Sequence, residues 1–263
     1  MTDWSTRRVL LSFDVEEFDL PLEYGQDISL PDQIRISSEG LLRVLDLLDR
    51  LDIRATCFTT LLFAQSRPDL MERIMRKHEI ASHGLHDAVP DRDNLLRSRI
   101  EIEALTGAEI YGFRSPRFSP VNQTDLLEAG YTYSSSENPI WLPGRYMNLG
   151  KPRLPYRRGD LLNLPVSASP VIRYPLFWLS FKHTPLWFFK IISSWSLKND
   201  GYLNIFFHPW EFADIGAWRV PALVKYPNGE KMLSKLGTYL HWLKKKGHFV
   251  TCREFTGTFD SCI

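Results

Sequence analysis

The 263-residue sequence lacks the features that mark several protein classes. It has only three cysteines, Cys57, Cys252 and Cys262, an odd and scattered set that does not suit a disulfide framework and predicts reduced thiols. It also lacks an excess of either charge, since 32 Lys and Arg balance 31 Asp and Glu to a formal net charge of +1. A nucleic-acid-binding protein would normally carry a basic face or tail, so we expect no nucleic-acid partner.

Long hydrophobic runs are missing as well. No stretch reaches the roughly 18 continuous apolar residues of a membrane span. Residues 1–8 contain no apolar core of a signal peptide, and the first apolar run, residues 9–13, is short enough to be a strand. The lack of a membrane span and of a signal peptide predicts a cytoplasmic protein.

The sequence does contain a repeated alternation of short apolar runs with helix-patterned segments. Strands are predicted at 8–13, 54–59, 79–82, 109–113, 131–134, 161–165, 202–207 and 248–251. Helices are predicted at 38–51, with Ser37 or Ser38 as the N-cap, and at 68–77, 91–105, 122–129 and 230–246. This alternation favours a parallel sheet closed or nearly closed on itself. Because such barrels run to about 250 residues, we expect residues 1–263 to form one domain.

Two segments interrupt the alternation. Residues 138–160 are rich in Pro, Gly, Tyr and Arg and are predicted to form a long loop. Residues 173–197 are unusually aromatic, and the simplest interpretation is an excursion that packs over the barrel. A sharper alternative is that 173–195 forms a hydrophobic wall for a lipid-linked substrate or a contact with a membrane surface.

An acidic cluster follows the first predicted strand. If the strand continues, Asp14 and Glu16 point to one side and Val15 to the other. Two carboxylates so close repel each other unless a cation or a proton relieves the repulsion. One could therefore hold a metal ion while the other acts as a base, with Glu17 as a bystander or a substitute ligand. A solvated acidic turn is the plain alternative.

Three more polar clusters follow later strands. His83, His86 and Asp87 lie within five residues at one strand end, a spacing at which two of them could bind one metal ion. Arg114 follows another strand and could orient a carboxylate and lower its pKa. His208 follows the strand 202–207 and is a candidate general acid, because the usual pKa of imidazole, near 6.5, suits proton donation at neutral pH.

Taken in order, the four clusters resemble the NodB-homology polysaccharide deacetylases, carbohydrate esterase family four. The first motif resembles the subgroup that reads Phe-Asp-Val-Glu followed by an acidic residue, and the likeness runs from about Leu10 to Phe255. It implies a distorted (β/α) barrel and a metal-dependent hydrolase that removes an N-acyl group, such as acetyl, from an amino sugar or polysaccharide precursor.

The resemblance also implies residue roles. Asp14 matches the general base, Glu16 the acidic metal ligand, His83 the first histidine ligand, Arg114 the residue that orients the base, and His208 the general acid. The implied cofactor is a divalent metal ion, with Zn²⁺ expected and Co²⁺, Mn²⁺ or Ni²⁺ as alternatives. The oxyanion of the reaction is expected to meet a backbone N–H near the turn 113–116.

The sequence departs from the family pattern at two places. The family has a second histidine ligand four residues after the first, where this chain has Asp87, with His86 one residue earlier. Either residue could complete the site, or the site could have lost its metal. Residues 161–167 take the place of the fourth motif without its acidic residue, which leaves the partner of His208 open.

These departures keep three functions in view. The first is the deacetylase, acting on an N-acylated saccharide that could be lipid-linked. The second is a hydrolase of a small non-sugar amide or cyclic amide. The third is a catalytically inactive barrel that only binds saccharide. The sequence leaves the sugar and the oligomeric state open.

Overall fold

The computed structural model describes residues 7–86, 91–142 and 146–260. Strands form a nine-stranded sheet and a separate small hairpin, β6 with β7. The strands are β1 (Arg8–Val15), β2 (Thr56–Thr59), β3 (Glu79–Ser82), β4 (Gly112–Phe113), β5 (Tyr133–Ser134), β6 (Trp141–Leu142), β7 (Tyr146–Met147), β8 (Tyr156–Arg158), β9 (Leu161–Asn163), β10 (Tyr202–Phe207) and β11 (His248–Val250).

Eleven α-helices are seen in the described residues, and they surround this sheet. They are α1 (Leu20–Glu23), α2 (Leu30–Leu51), α3 (Leu61–Ser66), α4 (Pro68–Met75), α5 (Arg92–Thr106), α6 (Gln123–Glu128), α7 (Trp178–His183), α8 (Leu186–Asp200), α9 (Ala222–Lys225), α10 (Gly229–Leu243) and α11 (Cys252–Asp260). Among the residues that the structure describes, none of these helices is long and apolar enough to cross a membrane.

The sheet is curled into a distorted (β/α) barrel. Its order is β10-β1-β2-β3-β4-β5-β9-β8, with β11 beside the start of β1. All eight strands predicted from the sequence are present and parallel, and β8 is an antiparallel addition at the edge. The segment after β9 approaches β10 through two hydrogen bonds, from Ser167 N–H to the Asn204 carbonyl and from Asn204 N–H to Ser167 Oγ. The predicted fold class is therefore confirmed.

Strand β1 pairs with β10, β2 and β11 and separates two layers of core. Its alternate residues Val9, Leu11 and Phe13 belong to the large outer core beneath the helices. Leu10 instead packs inside the barrel with Phe58 and other side chains of the inner cluster. This period of two places Ser12 and Asp14 on the inner side above Leu10, as the strand geometry requires.

Helix α2 begins earlier than the sequence predicted. Ser29 is the N-cap, its hydroxyl accepts the Asp32 N–H, and Pro31 occupies the first turn. Ser37 and Ser38 are buried inside the helix, so the prediction that one of them caps it was wrong. The physical reason is that the residues before them already supply a complete helix start, Ser-Leu-Pro-Asp.

The prediction of one long loop at 138–160 was also wrong. This segment contributes β6, β7 and β8. Strand β8 returns into β9 across a two-residue turn, Gly159-Asp160, with Gly159 at φ +57°. A Gly-Asp pair between two short strands is a hairpin signal, although the strands flanking it are too short to show alternation.

A buried histidine near the lower rim of the barrel makes stability depend on pH. His78 is 8% exposed, and its Nδ1 accepts the Ala55 N–H at 3.2 Å. Burial lowers the pKa of His78 from 6.5 to about 4. Between these values the unfolded chain binds more protons, so this contribution is complete above about pH 6.5 and is lost as the pH falls towards 4.

We therefore expect His78 to account for about 2 kcal/mol of the loss in unfolding free energy between pH 7 and pH 5. His78→Gln keeps an acceptor but cannot ionise there, so urea denaturation should show a correspondingly smaller loss. His241→Gln, at an exposed position on α10, serves as the control and should behave as the wild type. An unchanged pH dependence in His78→Gln would contradict the prediction.

Candidate active site

The site lies where the parallel strands end. Four of the predicted residues directly follow their strands: Glu16 after β1, His83 after β3, Arg114 after β4 and His208 after β10. Asp14 is still within β1. A pocket at this end is lined by Asp14, Glu16, His83 and His208, by the rings of Phe118, Phe177, Trp178, Phe206 and Trp210, and towards the rim by Asp19, Leu20, Glu23, Tyr24, Arg117 and Val224. Residues distant in the sequence are thus brought together as expected.

Asp14 is held by a buried arginine. The Arg114 Nη1 donates to Asp14 Oδ1 at 2.6 Å and to Ser12 Oγ at 2.9 Å. Its other nitrogens donate to the carbonyl and the hydroxyl of Ser135, and the guanidinium lies 4.1 Å from the Phe58 ring centre. Arg114 is fully buried, and with its donors satisfied it fixes the Asp14 carboxylate towards the pocket.

His83 and Glu16 form the second pair. The His83 Nδ1 lies 2.8 Å from the Arg114 carbonyl, which requires a proton on Nδ1, and its Nε2 lies 3.2 Å from Glu16 Oε2. Burial opposes the charged imidazolium, but Asp14 and the Glu16 hydrogen bond outweigh it and raise the pKa of His83. Burial alone would raise the pKa of Glu16, yet the two neighbouring histidines lower it.

His208 has a partner that the sequence analysis missed. Its Nδ1 lies 3.1 Å from Glu211 Oε1, and the same oxygen accepts the His208 backbone N–H at 2.8 Å. Burial alone would lower the pKa of His208, but the Glu211 hydrogen bond and the charge of Glu16 raise it. Glu211 follows His208 by three residues, and the 3₁₀ turn Pro209–Phe212 between them brings the Glu211 carboxylate to the His208 ring. This spacing was the sequence signal that could have identified the partner.

Glu211 is itself balanced by a buried cation. Lys182 Nζ lies 3.5 Å from Glu211 Oε2, and both side chains are fully buried. The same nitrogen donates to the Val224 carbonyl at 2.8 Å and lies 5.6 Å from the Trp178 and Trp210 ring centres. Burial lowers the pKa of Lys182. Glu211 thus contacts Lys182 through one carboxylate oxygen and His208 through the other.

Aromatic rings fix the face that His208 presents. The His208 ring stacks on Trp210 at 4.9 Å between centres with an angle of 19°. Trp178 meets it edge to face at 5.1 Å. The Trp210 Nε1 also donates to Glu16 Oε1 at 3.4 Å. His208 Nε2 lies 3.8 Å from the same oxygen, so this ring nitrogen is the one directed at the pocket.

Helix α2 supports the turn that carries His208. A Cβ built on Gly40 would lie 1.8 Å from the Pro209 carbonyl oxygen, so only glycine permits this approach. Arg43 on the same helix donates to the Phe212 carbonyl at 3.3 Å. The 3₁₀ turn is thus pressed between the helix and the barrel.

Two other predicted ligands, Glu17 and His86, do not line this pocket. Glu17 is buried but does not line the pocket, and its Oε1 accepts the Thr60 hydroxyl at 2.7 Å. Burial raises the pKa of Glu17 to about 7. His86 is exposed and is not in the pocket lining, and Asp87 lies outside the described residues. The roles of His86 and Asp87 as ligands remain predictions.

The expected oxyanion donor is not found at two of the candidate amides. The Arg114 N–H donates to the Ser82 carbonyl at 3.0 Å, and the Ser115 N–H donates to Ser136 Oγ at 2.9 Å. Both bonds hold β4 and the following turn against neighbouring strands. Pro116 has no N–H to offer.

Comparison with known proteins bears on the family likeness and on the fold. Residues 6–134 match the family model described as polysaccharide deacetylase. A probable polysaccharide deacetylase from Pseudomonas aeruginosa PAO1 is 16% identical, with a TM-score of 0.67 over 97% of this chain and 91% of that one. A search of curated proteins found no significant match.

Two further solved structures share the fold. PuuE allantoinase is 17% identical, with a TM-score of 0.70 over 97% of this chain and 91% of that one. A family-four pseudoenzyme from Bacillus anthracis is 12% identical, with a TM-score of 0.52 over 95% of this chain and 65% of that one. Residues 6–134 thus resemble polysaccharide deacetylases in sequence, and the solved structures show that the chain has the fold of these proteins.

Proposed function

We propose that the protein removes an N-acyl group from an amino sugar or a polysaccharide precursor. The observation that supports this most directly is the presence, in one pocket, of a carboxylate held by arginine and an imidazole held by a carboxylate. The first pair suits a general base and the second a general acid, which are the two groups that amide hydrolysis needs. The assignment to the Phe-Asp-Val-Glu subgroup and the cytoplasmic location stay predictions from the sequence.

The proton transfers follow from these two pairs. Asp14, held by the Arg114 guanidinium, takes a proton from the attacking water, whose oxygen forms the new bond to the acyl carbon. His208 then donates a proton to the sugar nitrogen as the carbon–nitrogen bond breaks. The products are a carboxylate and a free amino sugar. The Glu211 carboxylate holds His208 Nδ1–H, which leaves Nε2 as the nitrogen that faces the substrate.

The donor set also fits a divalent metal ion. His83 carries its proton on Nδ1, towards the Arg114 carbonyl, and so presents Nε2 to Glu16, an arrangement typical of metal-ligating histidine. Glu16 and His83 would hold the ion with Asp87 or His86. Among the described residues, His86 included, no group of three such side chains is close enough to hold an ion, which favours Asp87 over His86 as the proposed third ligand. When bound, such an ion polarises the acyl oxygen and the attacking water.

We expect purified protein incubated with Zn²⁺ and then desalted to retain about one ion per chain, measured by elemental analysis. Glu16→Gln and His83→Asn should each reduce retention about tenfold or more, because each removes one of few ligands. Glu17→Gln is the matched control, since this neighbouring carboxylate binds Thr60 instead. Full retention in both the Glu16 and His83 variants would contradict the proposed site. Loss only in the Glu17 variant would assign the ligand to Glu17.

The function itself is tested by a screen of metal-loaded protein against N-acetylated sugars, nucleotide sugars and lipid-linked saccharides, with cyclic amides and ureides as the competing class. Acetate release from a saccharide supports the proposal. Turnover of cyclic amides alone would replace it with the small-amide hydrolase. Saccharide binding without any turnover would indicate an inactive binding barrel. Lipid-linked saccharides belong in the screen because exposed aromatic residues lie on α8, the helix that follows α7.

A further inference from the structure

Helix α8 carries an apolar row that does not enter the core. Trp187, Ile191 and Trp195 are 65%, 56% and 37% exposed. They are four residues apart, so they lie on one face of the helix. The opposite face, which includes Phe189 and Ile192, is buried against the barrel. The exposed row is therefore a surface feature and contributes little to the fold.

The stretch of sequence that contains this row has no acidic residue. Residues 161–199 contain no Asp or Glu at all, whereas the whole chain contains 31. The same stretch carries Lys190 and Lys198 on α8, and Lys198 is exposed. Asp200, at the end of the helix, is buried in an ion pair with Arg153. The row thus combines tryptophan, isoleucine and lysine with no acidic neighbour in sequence.

A second apolar point lies near the start of the helix. Val171 and Ile172 are 89% and 62% exposed at the tip of a tight turn, in which Ser169 N–H donates to the Tyr174 carbonyl. Tyr174 in turn packs edge to face on Phe188, at 5.7 Å between ring centres. Phe188 is the neighbour of Trp187, so the tip and the helical row adjoin.

Helix α7 connects the pocket to the helix that carries the apolar row. Helix α7 begins with Trp178, which lines the pocket, and ends with His183, whose ring Nε2 lies 2.6 Å from the Leu223 carbonyl. Leu223 is 56% exposed, and its neighbour Val224 lines the pocket. The connection to α8 after His183 is two residues long. The pocket wall and the helix that carries the apolar row are therefore consecutive along the chain, joined by α7 and this short connection.

We propose that the α8 face, meaning Trp187, Ile191 and Trp195 with Lys190 and Lys198, rests on the surface of an anionic lipid bilayer. Tryptophan favours the boundary between lipid and water, and lysine is attracted to anionic headgroups. A second copy of the chain fits less well, since a two-fold interface would bring the lysines of both copies into one contact without an acidic residue from this stretch. Resting on the proposed deacetylation, this contact would present lipid-linked saccharides to the pocket.

Flotation with lipid vesicles tests the contact. The wild type should float with vesicles of phosphatidylcholine containing about 30 mol% phosphatidylglycerol, and bind pure phosphatidylcholine about tenfold or more weakly. Trp187→Ser/Ile191→Ser should reduce binding to the anionic vesicles about tenfold or more. The matched control is Leu96→Ser/Ile100→Ser on α5, which removes two apolar side chains of the same spacing, 40% and 49% exposed. This control should bind as the wild type.

Three results would overturn the proposal. They are a wild type that does not float, a loss that is equal in the α5 control, and a dimer in solution that the Trp187/Ile191 variant abolishes. All four replaced residues are exposed, and thermal unfolding confirms that the variants are folded. Flotation needs no turnover, so a protein that does not float can still be a deacetylase. Conversely, a protein that floats but shows no activity would contradict the proposed function and not the membrane contact.

Discussion

Asp14→Asn should lower kcat by about 10²- to 10⁴-fold, the range expected when a general base is removed. Asparagine keeps the shape and can still contact Arg114, but it cannot accept the proton of the attacking water. KM should change little, because the substrate is held by the pocket walls. The measurement is steady-state acetate release by the metal-loaded variant on the saccharide that the wild type hydrolyses.

The control for Asp14→Asn is a second buried aspartate–arginine pair. Asp200 is paired with Arg153 and lies outside the pocket lining, so Asp200→Asn loses a comparable ion pair without touching the reaction. We expect it to lower stability and leave kcat close to that of the wild type. Hydrolysis that survives intact in folded, metal-loaded Asp14→Asn would remove Asp14 from the mechanism.

Glu211→Gln should lower kcat about 10²-fold with little change in KM. The amide can still accept the His208 backbone N–H, so the turn is kept. The variant loses the negative charge that accepts the His208 Nδ1 proton and pairs with the Lys182 ammonium group. Glu211→Asp, which restores the charge, should recover part of the rate.

A substrate with a good leaving group separates a positioning role from a structural one. An acetyl ester of an acidic phenol needs no proton donor on departure, so the defect of Glu211→Gln should largely disappear with it, whereas that of Asp14→Asn should persist. Glu79→Gln is the matched control, because this carboxylate binds Tyr133 and Thr56 near the opposite end of the barrel. An equal defect on amide and ester would contradict the role of Glu211.

The strands and the main site residues were accessible from the sequence for a local reason. An apolar run that ends in a polar residue marks the carboxyl end of a buried parallel strand, and in a barrel these ends converge. This rule located Asp14, Glu16, His83, Arg114 and His208. The match to the family model ends at residue 134, so the first four lie inside the matched region and His208 outside it.

What the sequence could not predict depends on contacts between distant segments. Glu211 is recognisable as the partner of His208 only when the 3₁₀ turn is known. Lys182 is unremarkable in an aromatic stretch until α7 is seen to bury it against Glu211. The same stretch divides into buried rings, such as Phe181, and exposed ones, such as Trp187, and composition alone does not separate the two.

The contact between Gly40 and Pro209 determines how helix α2 can vary. Most of the buried positions of this helix are filled by side chains, and a cavity or a bulge there can be absorbed by repacking. At Gly40 the neighbour is main chain, which cannot move aside as a rotamer does. Even one added methyl group would therefore displace the segment that aims His208. Gly40 is distant from His208 in the sequence and has no side chain. We nevertheless expect it to tolerate no substitution, because any side chain there would move the nitrogen that donates the proton.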